Sequence, residues 1–321
     1  MVKSWSATAL AAYDCPYRYW LRYFKKVRVP TPPIVALGAY LHQFLAWAHN
    51  SAPAGRPFFF KTAQSMGKAW FGRWADYCQK QGANIAWGKD QRKEQQESLG
   101  GFGYNIAVAY YNYITNPPYP MRITGVEQSV SATWQGFRLT GTVDQLWYIQ
   151  PCLDFPKDKH PNGALVVVDL TIGHSYKGTQ LTLYKVAMEN RLTDPRFRKK
   201  LEKKLGFPLK IAEVATTAVL SLSGLTNPKR RDTALTFYPA HPAILLDTLR
   251  NARDGAETKK FKSKPSPNHC TYCFYRQVCQ YARPEGYGSG ASKGLLVLSE
   301  ENQLPPPPKQ GSFPGWLRGE K

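Results

Sequence analysis

Four cysteines at the two ends of the chain constrain its fold more than any other feature. Cys15 stands just before Pro16 in SATALAAYDCPYRYWLRYF, and Cys270, Cys273 and Cys279 follow one another in SPNHCTYCFYRQVCQYARP. If the four thiols share one centre, the N-terminus is stapled to the late segment, and what lies between must close into a domain. Scattered cysteines can also be small buried hydrophobes, and a lone C-x-x-C can be a redox pair. The late stretch argues against the first reading, because it is polar and turn-like, poor material for a core. Cys78 and Cys152 lie in unrelated surroundings with no close partner in sequence. Four thiolates suit an iron–sulfur cluster and zinc alike; with zinc, His269 competes with Cys15 for the fourth position. Either group would act as a clasp around the domain rather than as its reactive centre.

Charge is the second constraint. The 321 residues carry a formal net charge of +21. The length suits one large domain, or one domain with a helical insertion. MVKSWSATALAAY lacks the long apolar core of a signal peptide, and no stretch is apolar for long enough to span a bilayer. The cysteines need not pair, so a reducing cytoplasm is the expected compartment. The basic residues thicken in RYFKKVR, RFRKKLEKKLG, NPKRR and TKKFKSK, and Tyr17, Tyr19, Trp20, Tyr23 and Phe24 lie among the first of these. Any one run reads as a solvated helix face. Together they point to a polyanion, and the interleaved aromatics suit single-stranded nucleic acid, whose phosphates need cations and whose bases stack on rings.

The apolar period divides the chain. Ser6 can cap a helix running to about Phe24. A second helix is expected over Val35–His49, with Leu37, Leu41, Phe44 and Leu45 on its apolar side. Helical segments follow near Thr62–Gln81 and Asp90–Ile114. The period then changes to two over Arg122–Trp134, Phe137–Ile149 and Ala164–Leu170, with Trp134-Gln135-Gly136 as a hairpin turn. Gly178–Leu192 returns to helix, Ala212–Leu222 reads as a strand and His241–Asp254 as a closing helix. This order predicts an α/β sheet with a helical arm in front. Residues 1–294 form the expected domain, with a helical insertion over about 50–118. The proline-rich tail 295–321 is expected to be extended or disordered.

Two acids mark the predicted sheet. Asp144 lies in GTVDQLWY, and Asp169 ends ALVVVDL. An acid on a buried strand is costly unless it has a partner or a metal, and two on adjacent strands can share Mg²⁺ or Mn²⁺. His42, in GAYLHQF, is the third candidate. A helical histidine is more often a packed residue than a ligand, but two nearby acids favour a metal. Gln180 and Tyr184, at i and i+4, share one face of the helix after Asp169; the bland alternative is a surface Gln and a half-buried Tyr.

These residues together resemble the PD-(D/E)XK nuclease superfamily, in its RecB-like branch with an iron–sulfur cluster. That branch includes the CRISPR adaptation exonucleases and the AddB-type helicase–nuclease subunits. Ser6, Leu10, Tyr13, Cys15 and Pro16 match its N-terminal cluster motif, with altered spacing at the start. Gly38 and His42 match its G-x-x-x-H helix, Gly141, Val143 and Asp144 its G-x-(I/V)-D motif, and Asp169 the acid of its D-x-K motif. Gln180 and Tyr184 match its Q-x-x-x-Y helix, and Cys270, Cys273 and Cys279 its late cluster ligands. Six pieces in this order are hard to obtain by accident, and the likeness covers all but the tail.

The resemblance implies a restriction-endonuclease-like mixed sheet flanked by helices, with an N-terminal helical arm and a cluster-stapled C-terminus. It implies a metal-dependent DNA nuclease, most simply an exonuclease on single strands or ends, in repair, recombination or CRISPR-type processing. His42, Asp144, Asp169 and the Leu170 carbonyl would hold Mg²⁺ or Mn²⁺. Cys15, Cys270, Cys273 and Cys279 would hold a [4Fe-4S] cluster, with zinc as the rival. A helicase or CRISPR-adaptation protein is the implied partner. One departure matters: the motif lysine is Thr171, which has a hydroxyl and no charge. Lys177 is the nearest substitute and Lys185 the next. Without one, the chain becomes a DNA-binding or scaffold subunit. A zinc-stapled nucleic-acid protein without nuclease ancestry leaves the ordered acids unexplained.

Overall fold

The computed structural model describes residues 4–51, 69–160, 162–173, 178–209, 214–264, 270, 273–276, 279 and 281. The tail 295–321 and part of the expected insertion lie outside them.

Ser6 does cap the first helix, α1 (Ala7–Tyr13), its Oγ accepting the Ala9 N–H at 3.1 Å. The expected single helix to Phe24 is broken, however. Cys15 has extended backbone, and Pro16 opens a short α2 (Pro16–Tyr19) that passes into a π turn over Trp20–Phe24. Proline has no N–H to continue the first helix, but its fixed φ suits the first turn of the next. α3 (Pro33–Ser51) and α4 (Ala69–Lys80) follow, then α5 (Arg92–Thr115).

Among the described residues the sheet has six strands: β1 (Trp5–Ser6), β2 (Met121–Trp134), β3 (Phe137–Ile149), β4 (Ala164–Thr171), β5 (Thr216–Ser221) and β6 (Leu235–Tyr238). The order is β1-β3-β4-β5-β6, with β2 on the other side of β3. β4 and β5 run parallel and are joined through α6 (Gly178–Leu192) and α7 (Pro195–Leu205); β1 runs parallel to β3 and the remaining pairs are antiparallel. Gln135 and Gly136 both have positive φ, at 49° and 77°, between the paired Trp134 and Phe137. That is a two-residue primed turn, whose twist matches its strands.

Alternation along β4 builds a core on each face. Ala164, Val166, Val168 and Leu170 pack against α3, α4 and α5, together with α8 (Leu222–Leu225). Leu165 and Val167 face α1, α6, α7 and α9 (Pro242–Thr258). Asp169 continues that second set, so this alternation turns a charge toward α6. No described helix is long and apolar enough to cross a membrane.

A buried polar chain crosses the first core. Trp147 Nε1 donates to Gln145 Oε1 at 2.7 Å, and Gln145 Nε2 donates to the Tyr110 hydroxyl, which lies 2.7 Å from His49 Nε2. Indole is a donor only, so it fixes which way the Gln145 amide points. Burial pulls the His49 pKa down to about 4, so the folded protein holds a neutral ring. Its unfolded value is ~6.5. Between the two values only the unfolded state takes up this proton, so folding is penalised as pH falls from about 6.5 toward about 4. We expect His49→Gln to lose less stability than the natural protein over that window, by roughly 3 kcal/mol. Denaturant unfolding of both proteins at a series of pH values measures the difference.

Candidate active site

α3 buries Leu37, Leu41, Phe44 and Leu45, as its apolar period requires. His42 falls at the edge of that face, its side chain 30% exposed. At Gly38 the helix passes Ile172, just beyond β4; a Cβ there would stand 3.6 Å from Ile172 Cδ1. The helix is thereby laid across the end of the sheet that carries the acids.

Asp144 is buried on β3. Its Oδ2 accepts the Leu170 N–H at 2.7 Å, which ties β3 to β4. Its Oδ1 lies 3.5 Å from His42 Nδ1, and Glu127 Oε1, from β2, lies 3.6 Å from the same nitrogen. Ligand atoms of His42, Glu127 and Asp144 all lie within 4.8 Å of one another. Two ligands on opposite sides of Mg²⁺ are ~4.2 Å apart, so one imidazole and two carboxylates fit a small divalent cation after slight closure. Burial alone would make the imidazolium less favourable. The Asp144 charge and the contacts with Asp144 and Glu127 outweigh it and hold the His42 pKa well above its ordinary value. Burial raises the Glu127 carboxyl, His42 opposes that rise, and the Asp144 charge adds to it.

Asp169 stands beside this group. Gln180 Nε2, on α6, donates to Asp169 Oδ1 at 2.8 Å and lies 3.4 Å from the Tyr184 hydroxyl. Burial, followed by the charges of Asp144 and Asp169, raises the Tyr184 pKa far above that of a free phenol. The side chain is therefore a neutral O–H donor facing the acids. Its ring lies over β3 at Gly141, where a Cβ would meet Tyr184 Cε1 at 2.7 Å. We expect Gly141→Ala to destabilise the fold by about 1–3 kcal/mol and to displace the Gln180–Tyr184 pair. Thermal melting and metal-dependent activity should fall together.

The sequence-derived candidates thus divide by position. His42 and Asp144 meet; Asp169, Gln180 and Tyr184 form an adjoining group; Leu170 contributes its N–H to Asp144. Thr171 is half-buried at the end of β4, paired with Ser221. Lys177 lies outside the described residues. Lys185 is tied to Glu189 one turn on, so the second substitute for the motif lysine is already engaged by an acid.

Glu127 escaped sequence reasoning. Its signal was an acid interrupting a strand, VEQSV, and its relevance depends on β2–β3 register. Val126 pairs with Gln145 and Gln128 with Val143, leaving Glu127 opposite Asp144.

The cysteine ends also approach one another. Burial raises the Cys273 thiol pKa, and the charges of Cys15 and Cys279 add to this while Arg18 opposes it. Tyr17 packs edge-on against Tyr281 with centroids 4.8 Å apart, and the Tyr275 hydroxyl donates to the Val27 carbonyl at 3.2 Å. Cys270 shares a turn with Cys273, whose N–H donates to the Cys270 carbonyl at 3.2 Å. None of the four forms a disulfide.

No curated protein matches the chain. A family model described as the PD-(D/E)XK nuclease superfamily matches residues 4–280. That span runs from the first strand to the late cysteines and takes in the mixed sheet and every described acid of the site. The chain therefore belongs to the PD-(D/E)XK nuclease superfamily.

Proposed function

We propose that the protein is a Mg²⁺- or Mn²⁺-dependent deoxyribonuclease acting on single strands or DNA ends. The convergence of His42, Glu127 and Asp144, with Asp169 sharing their Tyr184 neighbour, carries this reading. His42, Asp144, Asp169 and the Leu170 carbonyl would hold the metal. When bound, the ion would supply a water of lowered pKa and polarise the scissile phosphate. Gln180 holds the Asp169 carboxylate in place through its amide. Tyr184 stays protonated and offers its O–H to a phosphate oxygen. The Thr171 hydroxyl can donate a hydrogen bond there but adds no positive charge.

The charge distribution supports a DNA substrate. α7 exposes Arg196, Lys199, Lys200, Lys203 and Lys204. Lys200, Lys204 and Phe197 line a hollow with Thr124, Gly125 and Gln128 of β2, next to Glu127 in the chain. Cations and an aromatic ring in one hollow suit a passing strand.

The same reading extends to the clasp. Cys15, Cys270, Cys273 and Cys279 would hold a [4Fe-4S] cluster, as in the RecB-like branch, and so fasten the ends of a domain spanning 1–294. The closeness of Cys15 and Cys279 to Cys273, whose thiol both push up, supports it. Iron and sulfide assays on anaerobically purified protein, against stoichiometric zinc, distinguish the occupants. A cytoplasmic role in repair, recombination or CRISPR-type processing, with a helicase or adaptation protein, follows from the same likeness. Thr171 favours a second reading, a subunit that binds DNA without cutting it. Incubation of end-labelled single-stranded and duplex DNA with Mg²⁺, Mn²⁺ or chelator tests the first reading. Metal-dependent shortening from ends supports it, while binding without shortening supports the second.

A further inference from the structure

We infer that Glu127 is a further ligand of the site's divalent cation, presented by a left-handed kink in β2. This rests on the metal-dependent reading above and adds a residue that the motif pattern does not contain.

The backbone is the first observation. Glu127 has φ +46° in the middle of a long strand, between the paired residues Val126 and Gln128. An L residue in that region costs ~1–2 kcal/mol, and glycine or asparagine would occupy it with less strain. A longer acidic side chain in such a position indicates a use for its carboxylate.

Placement is the second. The kink lies opposite Asp144 and brings Glu127 Oε1 to 3.6 Å from His42 Nδ1. The carboxylate is only 27% exposed and shares its surroundings with Asp144. Three elements, α3, β2 and β3, each deliver one donor to the same small volume. One imidazole nitrogen and two carboxylates are donor types that a divalent cation takes. One nitrogen among oxygen donors ranks Mn²⁺ above Mg²⁺.

Mn²⁺ binding to the full-length protein, followed by the electron paramagnetic resonance signal of free Mn²⁺, tests the inference without recourse to cleavage. The variants are Glu127→Gln, which removes the charge, and Glu127→Asn, which also suits a left-handed backbone. Asp144→Asn serves as the reference. Circular dichroism and metal-free melting report the fold. Both Glu127 variants should weaken Mn²⁺ binding by about tenfold or more, with the metal-free melting temperature unchanged or raised. Binding within about twofold of the natural protein, while Asp144→Asn binds weakly, would overturn the role of Glu127 and leave the metal-dependent reading standing. Failure of the natural protein to bind Mn²⁺ would overturn both. Misfolding of both Glu127 variants would assign the residue to the fold and overturn the inference.

Discussion

Asp144→Asn should abolish metal-stimulated cleavage while leaving the protein folded. Asp144 is the junction of the site: one oxygen faces His42 and the other accepts the Leu170 N–H. Asparagine keeps an oxygen for Leu170, so the link between β3 and β4 survives at a cost within about 1 kcal/mol. The charge that would hold the cation is gone. We expect at least a roughly thousandfold loss in single-turnover rate, equivalent to ~4 kcal/mol of transition-state stabilisation. Asp144→Ala would lose the same activity and, in addition, leave the buried Leu170 N–H without its acceptor, at about 1–3 kcal/mol of stability. Rates and melting temperatures measured on both variants separate the chemical role from the structural one. Retained cleavage in a folded Asp144→Asn protein would remove Asp144 from the site.

Thr171→Lys should raise the cleavage rate by about ten- to a hundredfold. Residue 171 ends β4, two positions after Asp169, and is half-buried rather than enclosed. A lysine there can lay its stem along the strand end and send its ammonium toward the carboxylates and the phosphate. It supplies a charge that strengthens as the phosphate gains negative charge, so the rate rises more than the affinity. Single-turnover rates at saturating protein, beside DNA affinity measured in chelator, separate the two quantities. An unchanged rate would place the required charge elsewhere, with Lys177 the first residue to replace.

These two residues were visible in the sequence because each belongs to a motif carried by one element. Spacing along a helix or strand is fixed by local geometry, so Gln180 and Tyr184 share a face, and Asp169 ends a run of apolar residues, in any fold that keeps those elements. Glu127 is different. Its approach to His42 depends on strand register and on one left-handed residue, both properties of the paired hairpin. The same distinction holds for the fold. The strands β2, β3 and β4 announced themselves by period, whereas the two-residue β1 exists only because β3 receives it. The run RFRKKLEKKLG stood out as charge, and it forms a capped helix. Asp194 accepts the Arg196 N–H, Pro195 opens the first turn and Gly206 closes it with φ +85°. Those start and stop signals are legible in the sequence and agree with the run's reading as a solvated helix face. The break at Cys15 was hidden: helical spacing continues across Pro16 even though the helix does not.

The measurement that most directly tests the central claim is cleavage of end-labelled single-stranded DNA by the natural protein, purified anaerobically, with Mn²⁺ or with chelator. Shortening should require the ion and disappear in Asp144→Asn. Tight DNA and Mn²⁺ binding with no cleavage, in the natural protein and in Thr171→Lys alike, would contradict that claim.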